Sequence, residues 1–442
     1  MIKYEKGEMI SEGKTKQVFK VVGHPGLVII RAKDDITAFD QAKYTKQFPG
    51  KGICSTTITC RVFELLKAAG IPVGYREQLS EREFLAEEGT MIPLEVIGRR
   101  CVAPESSCLK RTPQIDPKSI DPVIRLPRLS VEFDLKTTGG GFIDRFGDRV
   151  ELGLNAERKE EDPLIEDPYS QEWQLLHSKK PAWEDGARLG SVQRDQVISD
   201  IALIDKMDDL TRRLFLVLEG MWKMLGYHIL DIKVEYGFNA RGELMLFDVI
   251  DADSWRLRDR KWEDFSKQSF RDGQDLDRVA RKFWIVADKI QQFAIPDQTL
   301  VVWRGSDKDS WPLAPESYED VPNLKIEMVT LSGHKQTGMC LDKLNDLQRD
   351  YPSGVILAAV GMSNGLGPVL AAHSVWPVIG MPATAKEFPE DVWSSLRTPS
   401  QTPMLVCLEK NAVNAARNLL ALQNPVLYMK QQRAVEELDR CA

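Results

Sequence analysis

Three carboxylates and a guanidinium follow an apolar run near the middle of the chain. Asp248, Asp251, Asp253 and Arg256 all lie in the segment DVIDADSWR, directly after LMLF. Clustered carboxylates with little neutralising charge suit a hard cation such as Mg²⁺, which retains water ligands and accepts phosphate oxygens from a substrate. Arginine binds carboxylate or phosphate through two parallel hydrogen bonds. The segment therefore predicts a site for a metal ion and an anionic substrate.

A second acidic segment, ILDIKVEYGF, precedes this one and alternates apolar with charged residues. The alternation predicts a strand with Asp231, Lys233 and Glu235 on one face. Because NARG between the two segments predicts a turn, we expect a hairpin that brings Glu235 next to Asp248. From the pattern alone, a solvated hairpin face with an acidic turn is the more common explanation, and that alternative stays open.

A glycine and two lysines occur early in the chain, in SEGKTKQVF. Gly13 allows the backbone to approach a ligand, and Lys14 and Lys16 could neutralise phosphates. The spacing differs from that of a Walker A loop, Gly-x-x-x-x-Gly-Lys-Ser/Thr. By itself the segment is a weak indication of a nucleotide site and is more typical of a plain basic turn.

The elements that carry these residues form two patterns. Up to about residue 262, antiparallel strands (EMISEGKTKQVFKVV, GLVIIRAKD) mix with helices, one ending at Gly70 and a longer one running through Ile201 and Met221. The Pro- and Gly-rich residues 112–148 are interpreted as a surface excursion. A helical pattern over 264–293 ends at AIPDQ, which marks a boundary.

Beyond that boundary, five short apolar runs alternate with helical stretches: QTLVVW, KIEMVTL, GVILAAV, WPVIGM and MLVCL. Continuous apolar strands indicate burial on both faces, so a parallel sheet between helices is predicted. Ligands bind at the carboxyl ends of the strands in such sheets. Those ends read RGSDKD, LSGHK and GMSNGLGP, which predicts a second site there.

Composition excludes several classes of partner. A net charge of -7 and the lack of a basic run argue against nucleic acid and acidic membranes. The charged start MIKYEKGEMISEGK is not typical of a secretory signal, and no apolar stretch reaches membrane-spanning length. The seven cysteines are scattered, which favours reduced thiols over disulfides or a structural zinc. We therefore expect a cytoplasmic protein.

Taken together, the motifs resemble two known families. EGKTKQVF, KDDITAFD, MIPLEVIGRR, SSCLKR, DPLIEDPY, DIKVEYGF and DVIDADSWRL occur in the order found in SAICAR synthetase, the phosphoribosylaminoimidazole-succinocarboxamide synthase of purine synthesis. SGHK, SNGLGPVL, WPVI and DVWSSLR resemble the aminoimidazole ribonucleotide (AIR) carboxylase domain, and the fusion order is that of animal bifunctional enzymes. The resemblance implies an α+β, ATP-grasp-like synthetase domain (1–262), a helical extension and linker (263–296), and a three-layer α/β, flavodoxin-like carboxylase domain with a parallel sheet (297–442).

For the first half, the resemblance implies that ATP phosphorylates the carboxylate of carboxyaminoimidazole ribonucleotide (CAIR). The amine of L-aspartate then attacks the acyl phosphate, giving SAICAR, ADP and phosphate. The implied roles are ATP binding by Gly13, Lys14 and Lys16, Mg²⁺ binding by Glu235 and Asp248, catalysis by Asp231, Lys233 and Arg256, and substrate binding by Arg99, Ser107 and Asp253. Ser107 lies in APESS, which is two residues longer than the family's turn.

For the second half, the resemblance implies addition of CO₂ to AIR without ATP or biotin. His334 would move a proton and Lys335 would supply positive charge. The implied substrate-binding residues are Ser306, Asp309, Ser332, Gly361, Ser363 and Asn364, with Gly365 completing the cradle. The family also implies a homo-octamer assembled through the carboxylase domains.

The carboxylase motifs depart from the family pattern at three places. Gly-Ser-Thr-Ser-Asp reads Gly-Ser-Asp-Lys-Asp, so Asp307 puts a negative charge near the expected substrate phosphate. Ser-Ala-His-Lys contains Gly333, and Met362 replaces an arginine. Two hypotheses remain: both halves are active, with Lys308 or another cation compensating, or the carboxylase half only assembles the oligomer. A third is an ATP-dependent ligase for another metabolite, with the second half as a sensor.

Overall fold

The structure is a computed structural model that describes residues 4–37, 45–312 and 321–438. The chain forms two compact units, Met1–Phe293 and Ala294–Ala442, each with its own core. No helix among the described residues is long and apolar enough to cross a membrane.

The first unit contains nineteen strands and six helices within its described residues. The strands are β1 (Lys6–Glu12), β2 (Lys16–Val21), β3 (Leu27–Ala32), β4 (Asp35–Thr37), β5 (Thr45–Gln47), β6 (Tyr75–Ser80), β7 (Glu83–Glu87), β8 (Gly89–Met91), β9 (Leu94–Val102), β10 (Ile124–Leu135), β11 (Gly141–Ile143), β12 (Arg149–Glu151), β13 (Leu164–Ile165), β14 (Glu172–Leu176), β15 (Arg188–Gln193), β16 (Tyr227–Val234), β17 (Tyr236–Asn239), β18 (Leu244–Leu246) and β19 (Trp255–Asp259). The helices are α1 (Lys51–Ala68), α2 (Ser107–Arg111), α3 (Arg194–Val197), α4 (Ala202–Met224), α5 (Gln268–Arg271) and α6 (Leu276–Lys289).

Five of these strands form an antiparallel sheet in the order β1-β2-β3-β7-β6. The predicted pairing of the first strands is confirmed, with the loop at Gly13 between β1 and β2. Helix α1 contacts β3 and β6. Its chain reverses at Gly70, whose φ of 74° is left-handed, so the predicted helix end is confirmed.

A second antiparallel sheet has seven strands in the order β15-β14-β13-β10-β9-β16-β19. One face packs on α4: a Cβ on Gly98 of β9 would lie 3.2 Å from Cγ2 of Thr211. Because side chains alternate along a strand, the other face of β9 carries Glu95 and Arg99. The face on α4 is mainly apolar apart from the buried Arg100–Glu219 ion pair, and the other face is charged.

The interpretation of residues 112–148 as a surface excursion is wrong. The segment includes β10, which lies inside the seven-stranded sheet and pairs with both β9 and β13. Pro127 inside the strand, with further prolines before it and glycines after it, obscured its alternating sequence, in which Phe133 and Leu135 are buried.

The predicted hairpin is confirmed, with a break that the sequence did not reveal. Strand β17 pairs with β18, and the N–H of Phe247 donates to the carbonyl of Glu235 at 3.2 Å. However, ILDIKVEYGF is split at Glu235: β16 belongs to the seven-stranded sheet, whereas β17 belongs to the small sheet β18-β17-β8. The antiparallel partner of β16 on its outer side is β19, which sets Asp231 opposite Arg256.

Residues 263–293 lie within the first unit. Helix α6 contacts α1, and Phe283 packs against Phe48 with ring centroids 5.6 Å apart. Phe293, after a 3₁₀ turn at Ile290–Gln292, lies 4.9 Å from the ring of Trp222 in α4. The functional boundary expected at residue 262 stays a prediction.

The described residues of the second unit form five strands, β20 (Gln298–Arg304), β21 (Leu324–Thr330), β22 (Gly354–Val360), β23 (Val378–Pro382) and β24 (Leu405–Val406). Its helices are α7 (Thr337–Asp350), α8 (Leu366–His373), α9 (Val392–Leu396), α10 (Glu409–Ala421) and α11 (Pro425–Leu438). All strand pairs are parallel, in the order β21-β20-β22-β23-β24. One face of the sheet packs on residues of α10 and α11, and the other on α7 and α8. The predicted three-layer, flavodoxin-like fold is confirmed.

Candidate active sites

The charged face of the seven-stranded sheet joins two arginines through one carboxylate. Arg99 in β9 donates from Nη1 to Oδ2 of Asp231 at 2.6 Å, and Arg256 in β19 donates to the same oxygen. Register explains the meeting, because Arg99 and Arg256 are the direct neighbours of Asp231 on either side. The Nε atoms of both arginines are buried and have no hydrogen-bond partner. Each of the two positively charged groups therefore has one buried N–H group that makes no hydrogen bond.

Lys233 lies on the same face, two residues along β16. Its Nζ is 2.6 Å from Oε1 of Glu95 in β9. Burial lowers the pKa of Lys233, but the charges of Glu95 and Glu235 outweigh it, and the pKa is raised overall. Lys233 is therefore a permanent cation rather than a base.

Glu235 and Asp248 meet at the base of the hairpin, as predicted. Burial and the neighbouring Asp248 charge raise the pKa of Glu235 to about 7. Burial also disfavours the Asp248 carboxylate, yet contact with Lys16 holds its pKa well below the usual range. Lys136, which follows β10, contacts Glu235.

These carboxylates fit a magnesium ion by donor chemistry. The repulsion that raises the pKa of Glu235 would be relieved by a divalent cation. No cluster of three or more acidic, histidine or cysteine side chains suited to a metal occurs among the described residues. Two carboxylates suffice for Mg²⁺, which completes its shell with water and substrate phosphate oxygens.

The loop at Gly13 borders this centre. Gly13 and Lys14 are exposed, and the N–H of Gly13 donates to the carbonyl of Lys16 at 2.9 Å. Lys16 points from β2 to Asp248. A cavity beside Lys16 is lined by residues of β2, β3, α1 and β7 together with Thr15 and Val249. Lys16 thus connects the carboxylate pair to an enclosed space, whereas Lys14 lies at the surface.

Asp253, predicted to bind substrate, belongs to a buried network below the site. Its Oδ2 is 3.0 Å from Nζ of Lys51, a lysine with no exposed side-chain surface, and 3.6 Å from Nζ of Lys267. Asp251 contacts Ser55 of α1 and lies 3.9 Å from Lys51. The Oδ1 atom of Asp253 has no hydrogen-bond partner. The network fixes the DVIDADSWR turn against α1.

Ser107 is the half-buried first residue of α2. Its neighbour Ser106 is buried, and Oγ of Ser106 accepts from the N–H of Ala103 at 3.0 Å. Burial raises the pKa of the Cys108 thiol while the charge of Arg99 opposes the rise, which places α2 beside Arg99.

Sequence reasoning missed several residues of this face. Glu132 of β10 accepts from Arg99 at 3.4 Å and from Arg111 at 2.7 Å. Lys136 and Glu95 were also missed. Alternation in VEFDLK would have placed Glu132 and Lys136 on one face had the segment been recognised as a strand.

In the second unit, the strand-end loops converge as predicted. A Cβ on Gly361 would lie 3.6 Å from Oδ1 of Asp309, and one on Gly305 would lie 3.5 Å from Oδ2. Burial raises the pKa of Asp309 overall, although the backbone N–H groups of Gly361, Ser306 and Gly305 oppose the rise. A Cβ on Gly361 would lie 2.7 Å from Cγ2 of Thr384, after β23. Loops after β20, β22 and β23 therefore meet around Gly361.

The SGHK loop joins them from β21. A Cβ on Gly365 would lie 2.2 Å from Nε2 of His334, so the imidazole lies directly on that glycine. His334 and Lys335 are exposed, and Ser332 is half-buried. Oγ of Ser332 accepts from the N–H of Lys335 at 3.3 Å, which shapes the loop.

The SNG segment divides into exposed and structural residues. Ser363 is exposed, as is Ser306 in the first loop. Asn364 is buried: its Nδ2 donates to Oγ of Ser395 at 2.9 Å and its Oδ1 accepts from the N–H of Gly367 at 2.8 Å. These bonds hold the start of α8 to α9, and the predicted substrate contact of Asn364 stays a prediction.

The two units match two known protein families. The SAICAR synthetase family model matches residues 9–165 and 179–284, and the AIR carboxylase model matches residues 299–440. A Caenorhabditis elegans protein, probable multifunctional protein ADE2, is 31% identical, and the match covers 96% of this chain and 92% of that protein.

A Drosophila melanogaster bifunctional phosphoribosylaminoimidazole carboxylase/phosphoribosylaminoimidazole succinocarboxamide synthetase is also 31% identical, covering 97% of this chain and 92% of its own length. A crystal structure of the Ehrlichia chaffeensis phosphoribosylaminoimidazole-succinocarboxamide synthase is 24% identical with a TM-score of 0.48, covering 64% of this chain and 98% of that one. The chain belongs to the family of bifunctional enzymes that join a SAICAR synthetase to an AIR carboxylase.

Proposed function

We propose that the chain catalyses two steps of purine biosynthesis. The second unit carboxylates AIR to CAIR, and the first condenses CAIR with L-aspartate at the expense of ATP. The observation that carries the proposal is the single charged face on which Arg99, Asp231, Lys233 and Arg256 adjoin the Glu235–Asp248 pair.

The arginines anchor CAIR through its anionic groups. Asp231 holds both guanidinium groups by one oxygen, so it acts as a positioning residue that fixes their separation. Guanidinium groups held in this way bind phosphate or carboxylate with little further loss of entropy. Ser107, at the start of α2 beside Arg99, adds a hydroxyl to this anchor.

Phosphoryl transfer takes place next to the hairpin. An oxygen of the CAIR carboxylate attacks the γ-phosphorus of ATP, the bond to the β-phosphate oxygen breaks, and ADP leaves. Bound Mg²⁺ would neutralise the phosphate charge. Glu235 and Asp248 would hold the ion, and Lys16 and Lys136, which contact these carboxylates, would neutralise phosphate oxygens.

Amide formation follows from the acyl phosphate. The unprotonated amine of L-aspartate attacks the carbonyl carbon, the bond to the phosphate oxygen breaks, and inorganic phosphate leaves with the proton that the amine loses. Lys233 remains charged because its pKa is raised, so it stabilises the oxyanion that forms at that carbon.

The carboxylase reaction needs neither ATP nor biotin in this proposal. The nucleophilic ring carbon of AIR attacks CO₂, a carbon–carbon bond forms, and the displaced ring proton passes to His334. Lys335 stabilises the new carboxylate. Ser306, Asp309, Ser332, Gly361 and Ser363 form the cradle for the substrate, with Asn364 holding it in shape. We further propose a cytoplasmic homo-octamer that assembles through the second unit.

The experiment that tests the proposal is SAICAR formation by the full chain from AIR, bicarbonate, L-aspartate and MgATP, with CAIR in place of AIR as the control. Uncatalysed carboxylation is subtracted. Product from both substrates supports two active sites. Product from CAIR alone would support the alternative, a synthetase with an impaired carboxylase unit kept as a scaffold. No product from CAIR would contradict the proposal altogether.

A further inference from the structure

The carboxylase loops contain a half-buried arginine that the motif comparison did not single out. Arg304 is the last residue of β20, directly before the Gly-Ser loop, and its side chain is only 17% exposed. The predicted anion anchor at position 362 is a methionine whose side chain is 62% exposed. The loops therefore lose one cation at the end of β22 and have another at the end of β20.

Arg304 is held rigidly from three directions. Its Nε donates to Oγ1 of Thr330 at 2.8 Å, and its Nη1 donates to the carbonyl of Asp309 at 3.2 Å. The guanidinium carbon lies 4.2 Å from the centre of the Trp311 ring. A guanidinium fixed in this way is ready for an anion without ordering a flexible side chain.

The fourth contact is with an anion that is itself exposed. Nη2 of Arg304 is 2.7 Å from Oδ1 of Asp307, whose side chain is 87% exposed. The core does not hold the exposed Asp307 side chain, so another anion can displace it from Arg304.

We propose that Arg304 is the phosphate anchor of the carboxylase site, replacing the cation absent at Met362, and that Asp307 occupies it until substrate phosphate binds. This inference rests on the proposed carboxylase function. The charge of Arg304 also acts on Asp309 in the substrate cradle. Burial raises the pKa of Asp309, and the charge of Arg304 opposes this rise.

The test is CAIR decarboxylation to AIR and CO₂ by the full chain, without ATP or aspartate. Removing a charge-assisted contact with Arg304→Met should raise KM about tenfold to hundredfold. Asp307→Thr should lower the KM for CAIR. Inorganic phosphate should inhibit this variant more strongly than it inhibits the wild-type protein. Arg304→Met combined with Met362→Arg should recover part of the affinity. Arg349→Met, an exposed arginine of α7, is the matched control.

Two further readouts separate the possible failures. SAICAR formation from CAIR reports the synthetase, and it should be unchanged in every variant if all remain folded. AIR binding, measured calorimetrically with SAICAR and ADP filling the synthetase site, tests the anchor even if wild type shows no decarboxylation. An Arg304→Met protein with wild-type KM, or with wild-type AIR affinity, would overturn the inference. If the wild-type protein shows no decarboxylation but its AIR binding depends on Arg304, only the proposed carboxylase activity is contradicted, and the phosphate anchor stands.

Discussion

In the proposed mechanism, Mg²⁺ binding by the carboxylate pair at the hairpin depends on pH. Glu235 is protonated below its raised pKa of about 7, and Mg²⁺ must displace that proton. We predict that the apparent affinity for Mg²⁺, measured from the Mg²⁺ dependence of SAICAR formation, is about tenfold weaker at pH 6 than at pH 8. Glu235→Gln should lose most activity and this pH dependence. Glu243→Gln, an exposed acid of the same hairpin, should retain both.

The same pair affects stability in a definite direction. A carboxyl group whose folded pKa is raised stabilises the protein below its unfolded pKa, and this contribution is lost as pH rises through the folded pKa. Without Mg²⁺, the free energy of unfolding of the first unit should therefore fall between about pH 4.5 and 7 less steeply in Glu235→Gln than in wild type. Identical slopes in urea titrations would contradict the assigned burial of Glu235.

Lys136 was missed by motif reading, and its position predicts a measurable role. It contacts Glu235 from the end of β10, whereas Lys16 of β2 contacts Asp248. Because a lysine beside bound phosphate contributes a charge-assisted hydrogen bond, Lys136→Met should raise KM for MgATP about tenfold or more. Lys20→Met, an exposed lysine of β2, provides the comparison. Equal effects of both substitutions would exclude a specific role for Lys136.

Residue types and spacing predicted the sites better than they predicted contacts. The charged residues that sequence reasoning placed in one predicted site lie close together along the chain, on one hairpin and its continuation. They are Asp231, Lys233, Glu235, Asp248 and Arg256. The neighbours supplied by β9, β10 and α1, such as Glu132 and Lys51, come from far along the chain. Their approach depends on strand register and helix packing, which a local pattern does not encode.

At the scale of elements, the glycine in SGHK has a packing explanation. A Cβ on Gly333 would lie 2.5 Å from Cα and 2.6 Å from N of Leu366, backbone atoms that open α8. Restoring the family's alanine should therefore strain the loop instead of improving it. We predict that Gly333→Ala lowers the free energy of unfolding of the second unit by about 1–3 kcal/mol.

A matched glycine tests that prediction. Gly338 lies in the first turn of α7, and a Cβ there meets no atom within 4 Å. Alanine is preferred over glycine in helices by up to about 1 kcal/mol, so Gly338→Ala should leave stability unchanged or raise it. Chemical denaturation of both variants gives the comparison. Neutral or stabilising behaviour of Gly333→Ala would show that the loop after β21 can move away from α8.

Strand prediction failed where proline and glycine, which indicate loops, occurred next to an alternating sequence that indicates a strand. Residues 112–148 contain breakers at both ends, and these obscured β10, which lies at the centre of the seven-stranded sheet. The parallel strands of the second unit were easier, because burial on both faces makes each one a continuous apolar run bounded by polar loops.

At the scale of the whole molecule, the position of the domain boundary leads to a truncation experiment. A cut after residue 262 would remove α6 and Phe293, and with them the packing of Phe283 on Phe48 and of Phe293 on Trp222. Loss of each buried phenylalanine costs about 3–5 kcal/mol, against a total stability of about 5–15 kcal/mol for a typical domain.

We therefore predict that residues 1–293 fold cooperatively and form SAICAR from CAIR, whereas residues 1–262 are unfolded or aggregate. Thermal unfolding followed by circular dichroism and the CAIR assay measure both properties. A chain ending at residue 284, where the SAICAR synthetase match ends, separates the contribution of Phe283 from that of Phe293. Wild-type stability and activity of residues 1–262 would place the functional boundary at residue 262, with 263–293 as an appendage whose packing on α1 is dispensable.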